Sequence, residues 1–315
     1  MRTLFTQDFS QPILARSVLT IGNFDGVHRG HREIFRTLQQ RAVASGAASA
    51  VITFNPHPLH LFCPERAPLL ITTLEQKRAL IAESDIDLLL VIPFDLQFAA
   101  RSAESFVRDV LKGALGVEHL VIGHDYAFGR NREGDEALLS RLACELDFVV
   151  EALDPVGDGG LIFSSSAVRR MVSAGQVAEA IAILGRCHRI AGTVVRGREI
   201  GRVLGFPTAN IATENQLLPC DGVYAVWVEV AGELHMGACS VGVNPTFGGV
   251  VRSLEVFVLD FDAPLYEQQV TVHFVQRLRA IVRFASGDEL RRQIADDVAT
   301  VRRVLAVGLP ERCDA

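Results

Sequence analysis

The order of apolar and polar positions predicts alternating strands and helices in the first half of the chain. Short apolar runs that are typical of strands occupy residues 18–21, 49–54, 87–94, 117–122 and 148–153. Between the first two runs, Ile34, Leu38 and Ala42 recur at a spacing of four, as on one face of a helix. Because uninterrupted apolar runs are expected of strands covered on both faces, this half is predicted to be an α/β domain with a parallel sheet.

The pattern changes to a period of two after residue 186. Short apolar or alternating runs between glycine and proline predict strands at residues 222–230, 236–243, 254–259 and 269–275. Such strands predict a small closed β-barrel. Ser286 and Glu289 form a capping box, and Leu290, Ile294 and Val298 continue from it as an amphipathic helix that is expected to pack on the barrel. We therefore predict two domains, residues 1–185 and 186–315.

Composition narrows the class of protein. The chain has 315 residues, of which 49% are hydrophobic and 22% charged, enough apolar surface for two cores. A formal net charge of −6 gives no support to a nucleic-acid partner. The six cysteines lack C-x-x-C or zinc spacing, so we expect free thiols in a reducing compartment. Because no signal peptide or bilayer-spanning run is recognised, we expect a cytoplasmic protein without a membrane partner. Whether it forms a homo-oligomer is left open.

Residues 18–31 combine a strand, a glycine-rich turn and a helix start. They read V-L-T-I-G-N-F-D-G-V-H-R-G-H. Glycine lets the backbone turn tightly and approach a ligand, and a helix N-terminus offers N–H groups and a positive dipole end to phosphate. His28 and His31 stand at this helix start, where their imidazoles can donate hydrogen bonds to phosphate oxygens. The alternative is a plain chain reversal that carries two idle surface histidines.

Further polar clusters follow other predicted strands, at the edge where parallel α/β sheets bind ligands. Asn55 and His57 follow the second strand, and residues 124–130, with Asp125 and Phe128, follow the fourth. Ser164, Ser165 and Ser166 then begin another helix, which carries Arg169. Each cluster has an ordinary alternative, because Pro56-His57-Pro58 also suits a structural turn and the serines also suit an N-cap.

Taken in order, these motifs resemble those of the FMN adenylyltransferase module of bacterial bifunctional FAD synthetases. The segments that carry the resemblance are G-N-F-D-G-V-H-R-G-H, I-T-F-N-P-H-P-L-H-L-F, I-G-H-D-Y-A-F-G-R-N-R-E-G-D and F-S-S-S-A-V-R. The resemblance implies a Rossmann-like nucleotidyltransferase domain with a parallel sheet. It also implies that the FMN phosphate attacks the α-phosphorus of ATP and releases pyrophosphate, with no covalent enzyme intermediate.

The same resemblance implies roles for individual residues. Catalysis falls to His28, His31 and Arg169, with Mg²⁺ bridging phosphates. Flavin binding falls to Asn55, His57, Asp125 and Phe128. ATP binding falls to Gly22, Asn23, Phe24, Asp25, Gly30, Ser164, Ser165 and Ser166. Within that set, Asn23 and Asp25 are expected to shape the turn.

In the second half, residues 201–211 read G-R-V-L-G-F-P-T-A-N-I. A tight turn is the ordinary interpretation, but Thr208 and Asn210 also carry side-chain oxygens that can ligate Mg²⁺. P-T-A-N after G-x-x-x-G resembles the ATP/Mg²⁺ motif of riboflavin kinases. This resemblance implies ATP binding by Gly201, Gly205, Pro207, Thr208 and Asn210, and metal binding by Thr208 and Asn210.

Glu255 lies in the apolar run 254–259, where a lone carboxylate usually only faces solvent. In the riboflavin kinase resemblance it is the general base that takes the proton of the ribityl 5′-hydroxyl. Arg279 and Phe284 correspond to positions on the flavin side. Three segments depart from the family pattern: Arg186-Cys187-His188 replaces Arg-Pro-Tyr, Tyr266-Glu267 replaces Tyr-Gly, and Val282-Arg283-Phe284 replaces Glu-Lys-Phe.

The resemblance covers nearly the whole chain and implies one bifunctional enzyme with two flavin substrates. Riboflavin and ATP would give FMN and ADP, and then FMN and a second ATP would give FAD and pyrophosphate. Two alternatives stay open. Only one of the two modules is catalytically active, or the chain is a flavin-binding or regulatory protein that has retained both folds.

Overall fold

The computed structural model describes residues 1–123, 129, 134, 136–197, 205–246 and 249–308. The chain divides into two compact units. The first unit consists of Met1–Leu69 and Leu74–Phe163, and the second takes Leu70–Thr73 and the chain from Ser164 onward. Residues 164–185 therefore group with the second unit, and the domain boundary after residue 185 stays a prediction.

The first unit contains a six-stranded sheet in which every neighbouring pair is parallel. Its strands are β1 (Arg2–Phe5), β2 (Ser17–Ile21), β3 (Ala48–Asn55), β4 (Leu88–Pro93), β5 (Val117–Gly123) and β6 (Val149–Leu153). They lie in the order β1-β4-β3-β2-β5-β6. A short hairpin, β7 (Gly157–Asp158) and β8 (Leu161–Ile162), follows. The predicted α/β class is confirmed, although β1 was not predicted.

Helices cover both faces of this sheet. They are α1 (Arg29–Ser45), α2 (Pro58–Phe62), α3 (Leu74–Ala82), α4 (Leu96–Ala99), α5 (Ala103–Ser105) and α6 (Glu136–Leu146), with a 3₁₀ turn at Pro64–Arg66 and a π-helix at Phe106–Ala114. Leu19 packs into the core beneath the π-helix and α6, whereas Val18 packs into the core beneath α1 and α3. Successive side chains of a buried strand thus enter different cores, which explains the uninterrupted apolar runs.

The second unit is a closed six-stranded barrel whose neighbouring strands are all antiparallel. The barrel strands are β9 (His188–Val195), β10 (Ala209–Ala212), β11 (Gly222–Val230), β12 (Glu233–Thr246), β13 (Gly249–Val258) and β14 (Gln269–Arg279). Two helices, α7 (Ser165–Ser173) and α8 (Val177–Leu184), precede the barrel, and α9 (Gly287–Leu305) follows it. The predicted barrel with a C-terminal helix is confirmed.

Helix α9 covers part of the outer face of the barrel. Its Val301 and Leu305 pack with Trp227 and Phe257 in an apolar cluster outside the barrel core. The Ser286 hydroxyl accepts the Glu289 N–H at 3.2 Å, which is the N-cap that the sequence predicted. Side chains alternate along β13, so Phe257 faces outward and its neighbours Val256 and Val258 pack into the barrel core.

One short segment of the first half of the chain belongs to the second unit. Leu70–Thr73 interrupts the first unit between Leu69 and Leu74. The Leu70 N–H donates to Oε1 of Gln216 at 2.9 Å, and the Leu217 N–H donates to the Leu70 carbonyl at 3.3 Å. This four-residue segment, residues 70–73, is therefore bonded to the loop that precedes β11.

Two of the departures from the family pattern have structural accounts. Cys187 and His188 are buried, and Nε2 of His188 lies 3.0 Å from the Leu217 carbonyl oxygen. Burial raises the pKa of the Cys187 thiol to about 11, so it stays protonated. Glu267 has φ of 64°, a left-handed conformation that glycine adopts without strain. The family's usual glycine at that position suits this backbone.

Candidate functional site

The turn after β2 is held in an unusual backbone conformation at the carboxyl end of the sheet. Phe24 and Val27 have φ of 45° and 41°, values that cost non-glycine residues about 1–2 kcal/mol each. Both side chains are buried, and the Val27 N–H donates to the Phe24 carbonyl at 3.2 Å. The Gly22 N–H donates to the Ile52 carbonyl of β3 at 3.0 Å. Strain that is fixed from several sides argues against a plain chain reversal.

The two predicted histidines meet at the start of α1. His28 is the N-cap residue, and its Nδ1 accepts the His31 N–H at 3.3 Å. This bond assigns the proton of a neutral His28 ring to Nε2. The two imidazoles stack with centroids 3.6 Å apart and planes at 22°, and Phe24 meets the His31 ring edge-on at 5.2 Å. Packing therefore fixes both rings beside the helix N-terminus.

The charge at this helix start favours an anion. The first turn of α1 reads R-G-H-R, without an acidic side chain. The positive dipole end of a helix N-terminus disfavours cationic side chains, so an anion bound there stabilises both these side chains and the helix. A Cβ on Gly30 would lie 3.2 Å from Cε1 and Nδ1 of His28 and 3.4 Å from the Phe163 carbonyl oxygen. Glycine at this position lets the helix approach the imidazole closely.

The neighbouring strand β3 ends at Asn55 on the same edge of the sheet, because β2 and β3 are parallel. His57 caps α2, with its Nδ1 accepting the Leu59 N–H at 3.2 Å. This nitrogen thus serves the structural turn that the sequence left as an alternative. Asn55 and His57 keep their flavin assignment as a prediction.

An aromatic cluster lies at the ends of β3 and β4 and was not predicted from the sequence. Phe54 and Phe94 meet edge-on at 5.4 Å, and Phe98 packs beneath them. Phe62 meets Phe94 at 5.8 Å and is 56% exposed. The four side chains are too far apart in sequence to form a periodic signal. Among them, the exposed Phe62 ring provides an aromatic surface near the carboxyl edge of the sheet.

The serine motif begins α7, which groups with the second unit. Ser164 is the N-cap, and its hydroxyl accepts the Ala167 N–H at 3.2 Å. Ser165 and Ser166 form the first turn of the helix, and Arg169 lies in its middle. The N-cap alternative therefore holds for Ser164. Two predicted flavin residues, Asp125 and Phe128, lie outside the described residues.

The barrel brings together two residues that the sequence assigned to kinase chemistry. Glu255 on β13 lies directly opposite Asn210 on β10, and opposite Ser240 on β12. Directly opposed residues place their side chains on the same face of a sheet. Because Leu254 and Val256 belong to the barrel core, Glu255 faces outward. The carboxylate and the Asn210 amide therefore share the outer face.

The segment that precedes Asn210 lies along the same face. The Phe206 ring meets Phe257 edge-on at 5.4 Å. Asn210 itself packs against Gly197, where a Cβ would come 2.0 Å from the amide nitrogen. Pro207 and Thr208 lie between these two contacts, and Gly205 adopts a left-handed φ of 84°. Gly201 lies outside the described residues.

Arg279 is fixed by a residue that the sequence did not single out. Its guanidinium donates to both carboxylate oxygens of Asp297 on α9, at 2.7 to 3.1 Å. Asp297 is buried, and Gln293 donates to it at 3.1 Å. The guanidinium lies 5.9 Å from the centroid of Phe284. The two predicted flavin-side residues are thus adjacent, and helix α9 orients one of them.

Comparisons with known proteins point in the same direction. The FAD synthetase family model matches residues 10–167, and the riboflavin kinase family model matches residues 184–305. A protein from Escherichia coli K12 is 41% identical over 294 residues, which cover 93% of this chain and 94% of its own. A protein from Haemophilus influenzae is 36% identical over 92% of this chain and 94% of its own. Both are named bifunctional riboflavin kinase/FMN adenylyltransferase.

A solved structure matches the whole fold. The protein, from Streptococcus pneumoniae and described as a macrolide-efflux protein, is 30% identical, with a TM-score of 0.85. The match covers 95% of this chain and 98% of that one. In the part of the present chain that the structure describes, no helix combines the length and apolar character needed to cross a membrane.

Proposed function

The chain belongs to the family of bifunctional riboflavin kinases/FMN adenylyltransferases, and on this premise we propose how its residues divide the work. It phosphorylates riboflavin with ATP to FMN and ADP, and then transfers AMP from a second ATP to FMN, giving FAD and pyrophosphate. We assign adenylyl transfer to residues 1–185 and the kinase reaction to the barrel that follows. Each assignment rests on one cluster of side chains.

In adenylyl transfer, an oxygen of the FMN phosphate forms a bond to the α-phosphorus of ATP while the bond to the β-phosphate oxygen breaks. Nε2–H of His28 and the His31 imidazole donate hydrogen bonds to phosphoryl oxygens as charge develops on them. The observation that carries this assignment is the stacked imidazole pair at a cationic helix start. Alignment and charge stabilisation suffice, because the reaction needs no covalent enzyme intermediate.

The remaining residues of this reaction are assigned by the family resemblance. Ser164, Ser165 and Ser166 bind ATP, and Arg169 takes part in catalysis with the two histidines. The Ser164 cap also keeps the helix start in place. For the flavin ring we propose the aromatic cluster around Phe62 and Phe94, which lies at the same sheet edge as Asn55. Aromatic faces of this kind stack favourably on a planar ring.

In the kinase reaction, Glu255 accepts the proton of the ribityl 5′-hydroxyl as its oxygen attacks the γ-phosphorus of ATP and ADP leaves. The observation that carries this assignment is the register that sets Glu255 opposite Asn210. Thr208 and Asn210 would hold the Mg²⁺ that enters with ATP, and this ion would neutralise phosphate charge. Among the described residues, no group of three His, Cys, Asp or Glu side chains could hold a metal. Two protein oxygens plus phosphates fit the way Mg²⁺ binds.

One experiment tests both assignments together. The pure protein is incubated with ATP, Mg²⁺ and either riboflavin or FMN, and the flavins are separated by chromatography. Glu255→Gln should lower FMN formation by about a hundred- to ten-thousandfold and leave FAD formation from added FMN unchanged. His28→Ala should lower FAD formation by about a hundredfold and leave FMN formation unchanged.

Glu233→Gln serves as the control, since Glu233 is an exposed carboxylate on the neighbouring strand β12. It should leave both reactions at the wild-type rate. If Glu255→Gln keeps the wild-type kinase rate, Glu255 is not the base. If either variant loses both activities together, its residue supports the fold and has no separate catalytic role.

A further inference from the structure

Lys77 is a buried lysine on α3 whose ammonium group contacts the first turn. Its side chain is 7% exposed, and Nζ donates to the Asn23 carbonyl oxygen at 2.8 Å. Lysine is almost never fully buried unless its charge has a partner. Burial lowers the pKa of Lys77, and the buried carboxylate of Asp25 acts in the opposite direction. An ammonium in this position is unfavourable by itself, so its contact with the turn calls for an explanation.

The choice of lysine is itself unusual in this chain. Of its 31 basic residues, 29 are arginine, and Lys77 and Lys112 are the two lysines. An ammonium is compact, whereas a guanidinium is a broad planar fork, so the two are not interchangeable in a closed space. Lys112 also donates to backbone carbonyls, those of Val117 and Asp147, at 3.3 and 3.1 Å. It offers a matched control elsewhere in the same unit.

The carbonyl that Lys77 holds lies at the start of the strained turn. The same Asn23 oxygen accepts the hydroxyl of Thr53, a fully buried residue of β3, at 3.2 Å. Phe24, with its left-handed backbone, follows directly. Strained backbone persists only where its surroundings fix it. Lys77 of α3 and Thr53 of β3 thus both fix the beginning of the turn, which continues to the N-cap residue His28.

We propose that Lys77 is a positioning residue for adenylyl transfer. Its bond to the Asn23 carbonyl fixes the first turn and thereby holds His28 and His31 where the phosphates react. The proposal rests on the function assigned above to those histidines. Lys77 acts through the backbone, so its removal should change the turnover rate more than the affinity for FMN.

The test measures kcat and KM for FAD formation from FMN and ATP in Lys77→Met, Lys112→Met and His28→Ala. It also measures them in the double variant that combines Lys77→Met with His28→Ala. We expect Lys77→Met to lower kcat by about 10- to 100-fold, with KM for FMN changed less than about threefold. Lys112→Met should keep the wild-type kcat. In the His28→Ala background, Lys77→Met should lower kcat by less than about twofold further, since residues that act as a unit are not additive.

Two further variants separate positioning from stability. Leu80→Ala removes a buried side chain from the same helix but leaves both donors to the Asn23 carbonyl in place, and it should lower the melting temperature but keep kcat at a permissive temperature. Thr53→Val removes the other donor to the same carbonyl, so it should lower kcat in the same way even if Lys77→Met does not fold.

The outcomes that overturn the proposal are specific. A wild-type kcat in Lys77→Met or in Thr53→Val would do so. So would a kcat in Leu80→Ala as low as that of Lys77→Met. If His28→Ala itself forms FAD at the wild-type rate, the function assigned to the first turn fails and the role of Lys77 falls with it. A low rate in His28→Ala beside a normal rate in Lys77→Met overturns the positioning role alone.

Discussion

A single methyl group at Gly30 should slow adenylyl transfer while leaving the protein stable. In Gly30→Ala the new Cβ would stand 3.2 Å from two atoms of the His28 ring and 3.4 Å from a backbone oxygen of Phe163. The ring is the part that can move, by a few tenths of an ångström. Such a movement weakens the bond from the His31 N–H to Nδ1, which is already 3.3 Å long.

The two effects on stability nearly cancel. Loss of a helix N-cap costs about 1 kcal/mol, and alanine in place of glycine within a helix restores up to about 1 kcal/mol. The effect on rate does not cancel, because a displaced hydrogen-bond donor no longer meets the developing charge. We expect kcat for FAD formation from FMN to fall by about 10- to 100-fold, and FMN formation from riboflavin to stay normal.

The decisive assay is a double-mutant cycle. Gly30→Ala is measured in the wild type and in His28→Ala, with FAD quantified by chromatography and stability by thermal unfolding. Once the imidazole is gone, the methyl group has nothing to displace and should have no further effect. Equal rate losses in the two backgrounds, or a wild-type rate in Gly30→Ala, would refute this reasoning.

Three further predictions concern the barrel unit. Burial lowers the pKa of His273 to about 4 from its ordinary 6.5. Between these pH values the native state therefore binds fewer protons than the unfolded state. The free energy of unfolding should fall by on the order of 3 kcal/mol as the pH drops from 6.5 to 4. The His273→Gln variant should show a flatter pH profile of chemical unfolding over that range. Asp297→Asn leaves the Arg279 guanidinium without its carboxylate, and should lower the free energy of unfolding by about 3 kcal/mol and raise KM for riboflavin. Glu267→Gly relieves a left-handed backbone and should raise the melting temperature, through a gain of about 0.5–1 kcal/mol, without changing either kcat.

The elements that follow from local pattern were predictable. Val18 and Leu19 of β2 pack into different cores, so the sequence of this strand is apolar throughout and predicts a buried strand. The N-cap of α9 is recognisable from four consecutive residues, Ser286 to Glu289. Strand β10 was not predicted, because its four residues, which begin two positions after Pro207, carry too little periodicity.

The contacts that decide the sites were less accessible. Lys77 shares a helix face with Leu74, Leu80 and Ile81, but the carbonyl that it contacts lies 54 residues earlier, and no local pattern identifies that partner. Asp297 lies on the same face of α9 as Ile294 and Val301, and its contact with Arg279 depends on how that face packs on the barrel, which the sequence does not show. Glu255 and Asn210 lie opposite each other because the closed barrel pairs β10 with β13 in a particular register. The spacing of residues along the sequence does not predict this register. The family resemblance supplied these two residues where pattern did not.

The four-residue segment 70–73 has a consequence for any attempt to excise one activity from the other. A fragment that starts at residue 186 lacks α8, whose Val177 is fully buried in the barrel's apolar cluster, and it would expose that core to water. Starting at Ser164 retains the helix but leaves the Gln216 amide and the Leu217 N–H without their bonds to Leu70. A single cut in the polypeptide therefore separates residues 70–73 from the unit to which they are bonded. A fragment that carries the kinase alone is expected to be more stable with residues 70–73 grafted ahead of Ser164 than without them.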